Sequence, residues 1–77
     1  MPEFKTIITN KALNKMAKFG LSEKLVLNVF NTGETEEASI GGWNAIKKFP
    51  GREIGVYYNR RPNGQWVIIS VWVRERR

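Results

Sequence analysis

The segment 65–74, Gln-Trp-Val-Ile-Ile-Ser-Val-Trp-Val-Arg, constrains the fold more than any other part of the chain. β-Branched and aromatic residues fill almost all of it, which is the composition of a β-strand. Regular alternation would divide its side chains between two faces, and we expect the aliphatic set to face the core. The aliphatic face carries Val67, Ile69, Val71 and Val73, and the opposite face carries Trp66, Ile68, Ser70, Trp72 and Arg74.

The N-terminal part predicts one strand followed by two helices. Residues 4–9 alternate as a strand, and residues 11–19 show the apolar spacing of a helix. Thr9 or Asn10 can cap that helix at its start, and Gly20 can end it in a left-handed conformation. Ser22 then caps a second helix, which ends at residues 31–33. Two helices in tandem can present both apolar faces to one sheet.

The remainder predicts strands separated by turns. Pro50-Gly51 and Pro62-Asn63-Gly64 are turn sequences, and residues 34–40 have the polar composition of an edge strand. The remaining strands are predicted at residues 43–49, 52–59 and 65–74. Residues 1–77 therefore predict a single α+β domain, β-α-α-β-β-β-β, with two N-terminal helices packed on one face of a four- or five-stranded antiparallel sheet. The expected core contains Leu13, Met16, Leu25, Val26, Val29, Phe30, Val67, Ile69 and Val71.

The charge balance indicates a polyanionic partner. Thirteen Lys and Arg residues stand against seven acidic ones, a formal net charge of +6. Three of the acids, Glu34, Glu36 and Glu37, lie within four residues. A small domain this basic is typical of nucleic-acid binding. An acidic protein partner, an anionic membrane surface, or charge that serves only solubility are the alternatives.

The chain contains neither cysteine nor histidine. It therefore has no disulfide or thiolate metal site, and it lacks the usual general base near neutral pH. No cofactor or metal is predicted. A small domain without disulfides suits a reducing compartment, and no apolar run is long enough to cross a bilayer. We expect a cytoplasmic protein.

Basic and aromatic residues provide candidates for nucleic-acid binding. Lys11, Lys15 and Lys18 recur at i, i+4 and i+7, so they form a helical stripe that could follow a phosphate backbone or simply be solvated. Aromatic rings beside positive charge can stack bases, although Trp66 and Trp72 could equally pack on each other, on a terminal segment or in a dimer interface. The predicted nucleic-acid-binding residues are Lys15, Lys18, Lys47, Lys48, Arg60, Arg61, Trp66, Trp72 and Arg74.

Two residues of the strand 52–59 have open assignments. Tyr57 joins the tryptophan face if Ile54, Val56 and Tyr58 face the helices, and the register alone does not decide this. Glu53 could act as a general base, but a cross-strand ion pair with a neighbouring cation is the favoured interpretation.

Residues 9–22 resemble the opening of a group of small bacterial domains related to the RelE/ParE-like toxin superfamily. The matching residues are Thr9, Ala12, Met16, Gly20, Leu21 and Ser22, with Lys15 where arginine is usual. The resemblance implies helices packed on a twisted antiparallel sheet. It also implies RNA or the ribosome as a partner, with an antitoxin protein as a second one, because several members of the superfamily cleave RNA.

Lys11 stands where the group usually has histidine, and Phe19 stands where a basic residue is common. The candidates for metal-independent RNA cleavage are therefore Arg52, Tyr57 and Lys11. Without histidine or cysteine, no side chain has an ordinary pKa between about 5 and 8, so we expect any catalysis to be weak or dependent on the ribosome. The alternative is a non-catalytic protein-interaction module of a toxin–antitoxin or similar system.

Overall fold

The computed structural model describes residues 6–75, and within them it contains two helices and five strands. Their order is β-α-α-β-β-β-β, as the sequence predicts. The elements are β1 (Ile7–Ile8), α1 (Asn10–Phe19), α2 (Glu23–Thr32), β2 (Glu34–Glu37), β3 (Trp43–Phe49), β4 (Arg52–Arg60) and β5 (Trp66–Glu75).

The strands form one sheet in the order β1-β5-β4-β3-β2. Strands β2 to β5 are an antiparallel meander, whereas β1 runs parallel to β5, with Ile7 beside Val67 and Ile8 beside Ile68. The predicted α+β fold is confirmed. The sheet is mixed rather than wholly antiparallel, because β1 runs parallel to its neighbour β5. Of the predicted strand 4–9, Phe4 and Lys5 lie outside the described residues.

Local capping sets the directions of the helices. Thr9 caps α1: its Oγ1 accepts a hydrogen bond from the Ala12 N–H at 3.2 Å and donates one to the Ile69 carbonyl at 3.0 Å. Gly20 ends α1 with φ +68°, a conformation that glycine adopts without strain. The Leu21 N–H then donates to the Met16 carbonyl at 2.8 Å, and Leu21 is buried. Thr9 therefore both caps the start of α1 and ties it to β5.

The core lies between the two helices and one face of the sheet. α1 packs on β5, and α2 packs on β3 and β4. Met16, Val26, Val29 and Val71 are buried as predicted, and Leu25 and Phe30 are half-buried against them. Leu13 was expected in the core, but it is 44% exposed, because α1 turns only Ala12 and Met16 inward.

A β-bulge in β5 overturns the predicted division of its side chains. Tyr57 pairs with Ser70 and Tyr58 pairs with Ile68, so Ile69 is an extra residue without a partner in β4. One extra residue reverses the alternation beyond it. Ile68 therefore lies in the core with no exposed surface, and Val67, expected there, is buried outside the core cluster. Ile69 is half-buried at the bulge.

The predicted edge strand is shorter than expected but lies where an edge strand should. β2 ends the sheet, pairs with β3, and exposes all four of its residues. Charged side chains at such a position discourage pairing with another chain. Among the described residues, neither helix is long or apolar enough to cross a membrane.

Candidate nucleic-acid interface

Four aromatic side chains meet on the helix side of the sheet, at the end of the β4–β5 hairpin. This ring cluster comprises Phe30, Trp43, Tyr58 and Trp66. Tyr58 contacts the other three, with ring centres 4.8 Å from Phe30, 5.9 Å from Trp43 and 5.4 Å from Trp66. Tyr58 is buried, but the other three rings are only half-buried. The cluster therefore joins the core to the surface.

An arginine lies beside one ring of this cluster. Arg60 lies opposite Trp66 in the β4–β5 pairing, and its guanidinium carbon is 5.2 Å from the centre of the Trp66 ring. The following loop is closed by hydrogen bonds from the Arg61 N–H to Gln65 and from the Gly64 N–H to Arg61, both at 2.8 Å. Arg60 and Arg61 are both exposed. We call these two arginines and the ring cluster the hairpin end.

The lysine stripe of α1 occurs on the outer part of the helix, as its spacing predicts. Lys11 and Lys18 are exposed and Lys15 is half-buried, while Ala12 and Met16 face the core. The Lys18 ammonium is 5.7 Å from the Phe19 ring centre. These lysines add positive charge to the helix side of the molecule.

Trp72 lies on the other side of the sheet, which we call the open face. The registers place Gly55 beside Trp72, and the indole ring lies flat over that glycine: a Cβ at Gly55 would be 2.0 Å from Trp72 Cε2. The Arg74 guanidinium is 5.4 Å from the Trp72 ring centre. The prediction that Trp66 and Trp72 share a face is wrong, because the bulge at Ile69 lies between them.

Carboxylates lie near Trp72 on the open face. Glu53 lies between Lys48 and Arg74 in one row of three strands, and its Oε1 is 4.0 Å from Arg74 Nη1. The ion pair favoured for Glu53 is therefore confirmed. Beside this row, Glu34 and Glu36 help to line a shallow groove of about 380 Å³ that reaches Trp72. Three carboxylates and the cations Lys48 and Arg74 thus share this end of the open face.

Lys47 has a structural contact that its sequence context does not reveal. Its ammonium donates hydrogen bonds to Asn28 Oδ1 at 2.8 Å and to Thr32 Oγ1 at 2.9 Å. Lys47 therefore ties β3 to α2, on the opposite side of the strand from Lys48. The side chains of these two adjacent lysines therefore lie on opposite faces of the sheet and cannot contact a ligand on one face together.

The three candidates for catalysis do not meet. Tyr57 lies on the open face, where its hydroxyl donates to the Gly41 carbonyl at 2.6 Å. Arg52 is on the helix side, opposite Glu75 at one end of β5. Lys11 lies at the other end of β5, because it comes two residues after Thr9, whose N–H donates to the Ile68 carbonyl. Residues 68 and 75 are roughly 20 Å apart along a strand, so the three groups cannot act on one phosphate.

The sequence alone gives no reason to group Phe30, Trp43 and Tyr58 with Trp66. Phe30 was expected as a core residue, and Trp43 was part of a predicted strand without a role. The strand registers bring the three strand residues together, since Trp43 pairs with Tyr58 and Arg60 with Trp66, and Phe30 reaches them from α2. In the described part of the chain, acidic residues form no group that could hold a metal ion.

Comparison with known proteins gives no relative: no protein-family model matches the chain, and no curated protein or solved structure matches it. The resemblance of residues 9–22 to RelE/ParE-like domains therefore stays a prediction.

Proposed function

We propose that this chain is an RNA-binding domain that holds single-stranded RNA at its hairpin end. The observation that carries the proposal is the Arg60 guanidinium 5.2 Å from a half-buried Trp66, within a cluster of four rings. A base can stack on an exposed indole, and a neighbouring guanidinium can pair with a phosphate. Stacking of this kind is worth about 1–3 kcal/mol per base.

The charge distribution favours the helix side over the open face. The open face combines Lys48 and Arg74 with the carboxylates of Glu34, Glu36 and Glu53. Most other cations of the described residues belong to the helices and the hairpin end. A polyanion is attracted to the side where positive charge accumulates, and the attraction falls as salt screens it. RNA can extend from the hairpin end towards the lysines of α1.

Binding is favoured over cleavage by the same geometry. Arg52, Tyr57 and Lys11 are separated, and the Tyr57 hydroxyl already has a hydrogen-bond partner. The resemblance of residues 9–22 to RelE/ParE-like domains supports an RNA partner, but resemblance to a family does not assign an activity. We therefore propose an RNA-binding role in the cytoplasm, where a domain without disulfides is stable.

Titration of tryptophan fluorescence with a single-stranded RNA oligonucleotide, at two salt concentrations, tests this function. If about six phosphates are contacted, log affinity falls against log salt with a slope of roughly −4. Replacing both Arg60 and Arg61 with alanine should weaken binding, whereas Lys24→Ala on α2 is the control. Flat titrations at low salt, or equal losses in both variants, would contradict the proposal.

A protein partner is the second candidate, and the groove on the open face favours it. Glu34, Glu36 and Glu53 line the groove beside Trp72, which suits a basic, partly aromatic protein surface better than RNA. A protein complex that survives nuclease treatment and is lost in Glu34→Lys/Glu36→Lys would support this function. Retention of the complex in that variant would exclude the groove as the binding site.

A further inference from the structure

The C-terminal half of β5 has an edge that no described strand covers. β1 pairs with Val67 and Ile68 only, and it is the end strand of the sheet. From Ser70 to Glu75 no strand of residues 6–75 lies on that side of β5. An uncovered edge presents backbone N–H and C=O groups in a row, ready to pair with another strand.

The direction of the backbone groups follows from the contacts of β1. The Ile68 carbonyl accepts a hydrogen bond from the Thr9 N–H at 3.0 Å, so it points away from β4. In a strand of L-residues, side chains on one face have their N–H and C=O groups on the same side of the strand. Val71, Val73 and Glu75 share the helix-facing side with Ile68, so their backbone groups point to the uncovered edge.

We propose that this edge is a dimer interface, in which β5 pairs antiparallel with β5 of a second copy of this chain. The two-fold axis passes beside Val73, so that Val73 faces its own copy and Val71 faces Glu75 of the second copy. This register uses every edge-pointing group of the segment, in about six backbone hydrogen bonds. It also keeps each partner strand clear of β1, whose last residue, Ile8, pairs with Ile68.

Side-chain chemistry supports this register. Trp72 of one copy lies directly opposite Arg74 of the other, twice across the axis. The same two residue types already lie together within one chain, at 5.4 Å. Shifting the pairing by two residues towards the C-terminus would place Arg74 opposite Arg74, and like charges in direct opposition are unfavourable.

The other edge of the sheet explains why the partner uses β5. β2 carries three glutamates in four residues, all exposed, so two copies of β2 would repel each other. Pairing β5 with β2 of another copy would leave a free edge on each end and would form open chains of molecules. A two-fold pairing of β5 with itself closes after two copies and places both hairpin ends on the same side of one continuous sheet.

Proline substitutions at the two edges test the proposal by sedimentation equilibrium. The wild-type mass should be twice the 8.9 kDa of the chain. Val73→Pro removes an N–H that points to the interface and should raise the dissociation constant at least tenfold. Glu75→Pro, at an exposed position, should act in the same direction with less effect on the fold.

Thr35→Pro in β2 is the matched control. The Ala38 N–H donates to Gly42 across the strand pair at 3.0 Å, so by the same alternation the Thr35 N–H points away from β3. This variant should dimerise like the wild type. A monomeric wild type at all concentrations, a mass that keeps increasing with concentration, or equal dissociation by Thr35→Pro and Glu75→Pro would overturn the proposal.

A single cysteine provides an independent test of the register, because the chain has none of its own. Val73→Cys places two thiols opposite each other across the axis, within the separation that a disulfide spans. Mild oxidation should yield a covalent dimer, and Thr35→Cys should yield much less. Failure of folded Val73→Cys to cross-link more than Thr35→Cys would overturn the proposed pairing.

Discussion

Trp66 and Trp72 lie on the same strand, six residues apart, and each has an arginine near its ring. Their surroundings nevertheless differ. Trp66 contacts three other aromatic rings on the helix side, and Arg60 lies opposite it on β4. Trp72 lies alone across Gly55 on the open face, near carboxylates, and its arginine follows two residues later on β5. One strand therefore supplies two tryptophan sites of different chemistry.

The difference shows how one extra residue can separate two surfaces of different chemistry. In a strand without a bulge, residues 66 and 72 would face the same side, and both tryptophans would belong to one aromatic surface. The bulge at Ile69 gives the helix side an aromatic and cationic site and leaves the open face with a mixed charge pattern. The two sites therefore differ in the side chains that they present at the surface.

Removing the two indole rings should have the largest effect and should separate the sites by stability. Trp66→Ala removes a ring packed against three others, so we expect a loss of about 3 kcal/mol in the free energy of unfolding. Trp72→Ala removes a ring that covers only one face of the sheet, and we expect roughly 1–2 kcal/mol. Urea unfolding followed by circular dichroism gives both values. Equal losses would show that the ring cluster adds no stability.

Deletion of Ile69 should have the next largest effect, roughly 1–2 kcal/mol, because a half-buried side chain and the hydrogen bond from Thr9 are lost. The deletion removes the bulge but keeps Ser70 and Ile68 beside Tyr57 and Tyr58, so both tryptophans should keep their faces. In a regular strand, the same deletion would move Trp66 to the opposite face. Nuclear Overhauser contacts between Phe30 and Trp66 report the result, and their loss would contradict the assigned bulge.

Sequence patterns predicted the elements well because local chemistry specifies them. Thr9 and Ser22 occupy the N-cap positions that their hydroxyl groups favour, and Gly20 ends α1 with the positive φ that glycine adopts freely. The turn at Pro50-Gly51 lies between β3 and β4. The apolar residues of α2 were equally clear from the sequence, and two of those expected in the core, Val26 and Val29, are buried. These features depend on a few neighbouring residues, so the sequence contains the information directly.

The candidate site was predicted less well because it depends on registers between distant strands. The bulge at Ile69 has no sequence signal such as glycine, and it alone moves Trp66 away from Trp72 and Arg74. The parallel pairing of β1 with β5 likewise follows from tertiary packing. Lys47 and Lys48 looked alike in sequence, but their alternation on β3 directs one to α2 and the other to the open face. The sequence suggested candidate residues one at a time, but it did not show which of them lie together, and their roles stay predictions.

Charge reversal at the two arginines should separate the sites by RNA affinity. We expect Arg60→Glu to weaken binding of single-stranded RNA about tenfold, close to 1.4 kcal/mol, because it removes a cation from the hairpin end and adds an anion. Arg74→Glu changes the charge equally on the open face and should alter affinity less than about threefold. Fluorescence anisotropy with a labelled oligonucleotide measures both. A larger loss for Arg74→Glu would move the interface to the open face.

The smallest expected effect concerns the groups that Arg60 and Arg74 contact. Arg60 Nε is 3.4 Å from the Gly64 carbonyl, a backbone group, whereas Arg74 is paired with the Glu53 carboxylate at 4.0 Å. Arg74 keeps 72% of its side chain exposed and Glu53 keeps 12%, so solvent screens the pair from the arginine side and its contribution to stability is about 1 kcal/mol or less. Glu53→Gln should therefore lower the thermal midpoint slightly at low salt, and the difference from wild type should shrink in high salt. Glu36→Gln, at an exposed position of β2, is the control. A loss of several kcal/mol in Glu53→Gln, independent of salt, would contradict this expectation. Glu53 would then stabilise the sheet about as strongly as the ring cluster does.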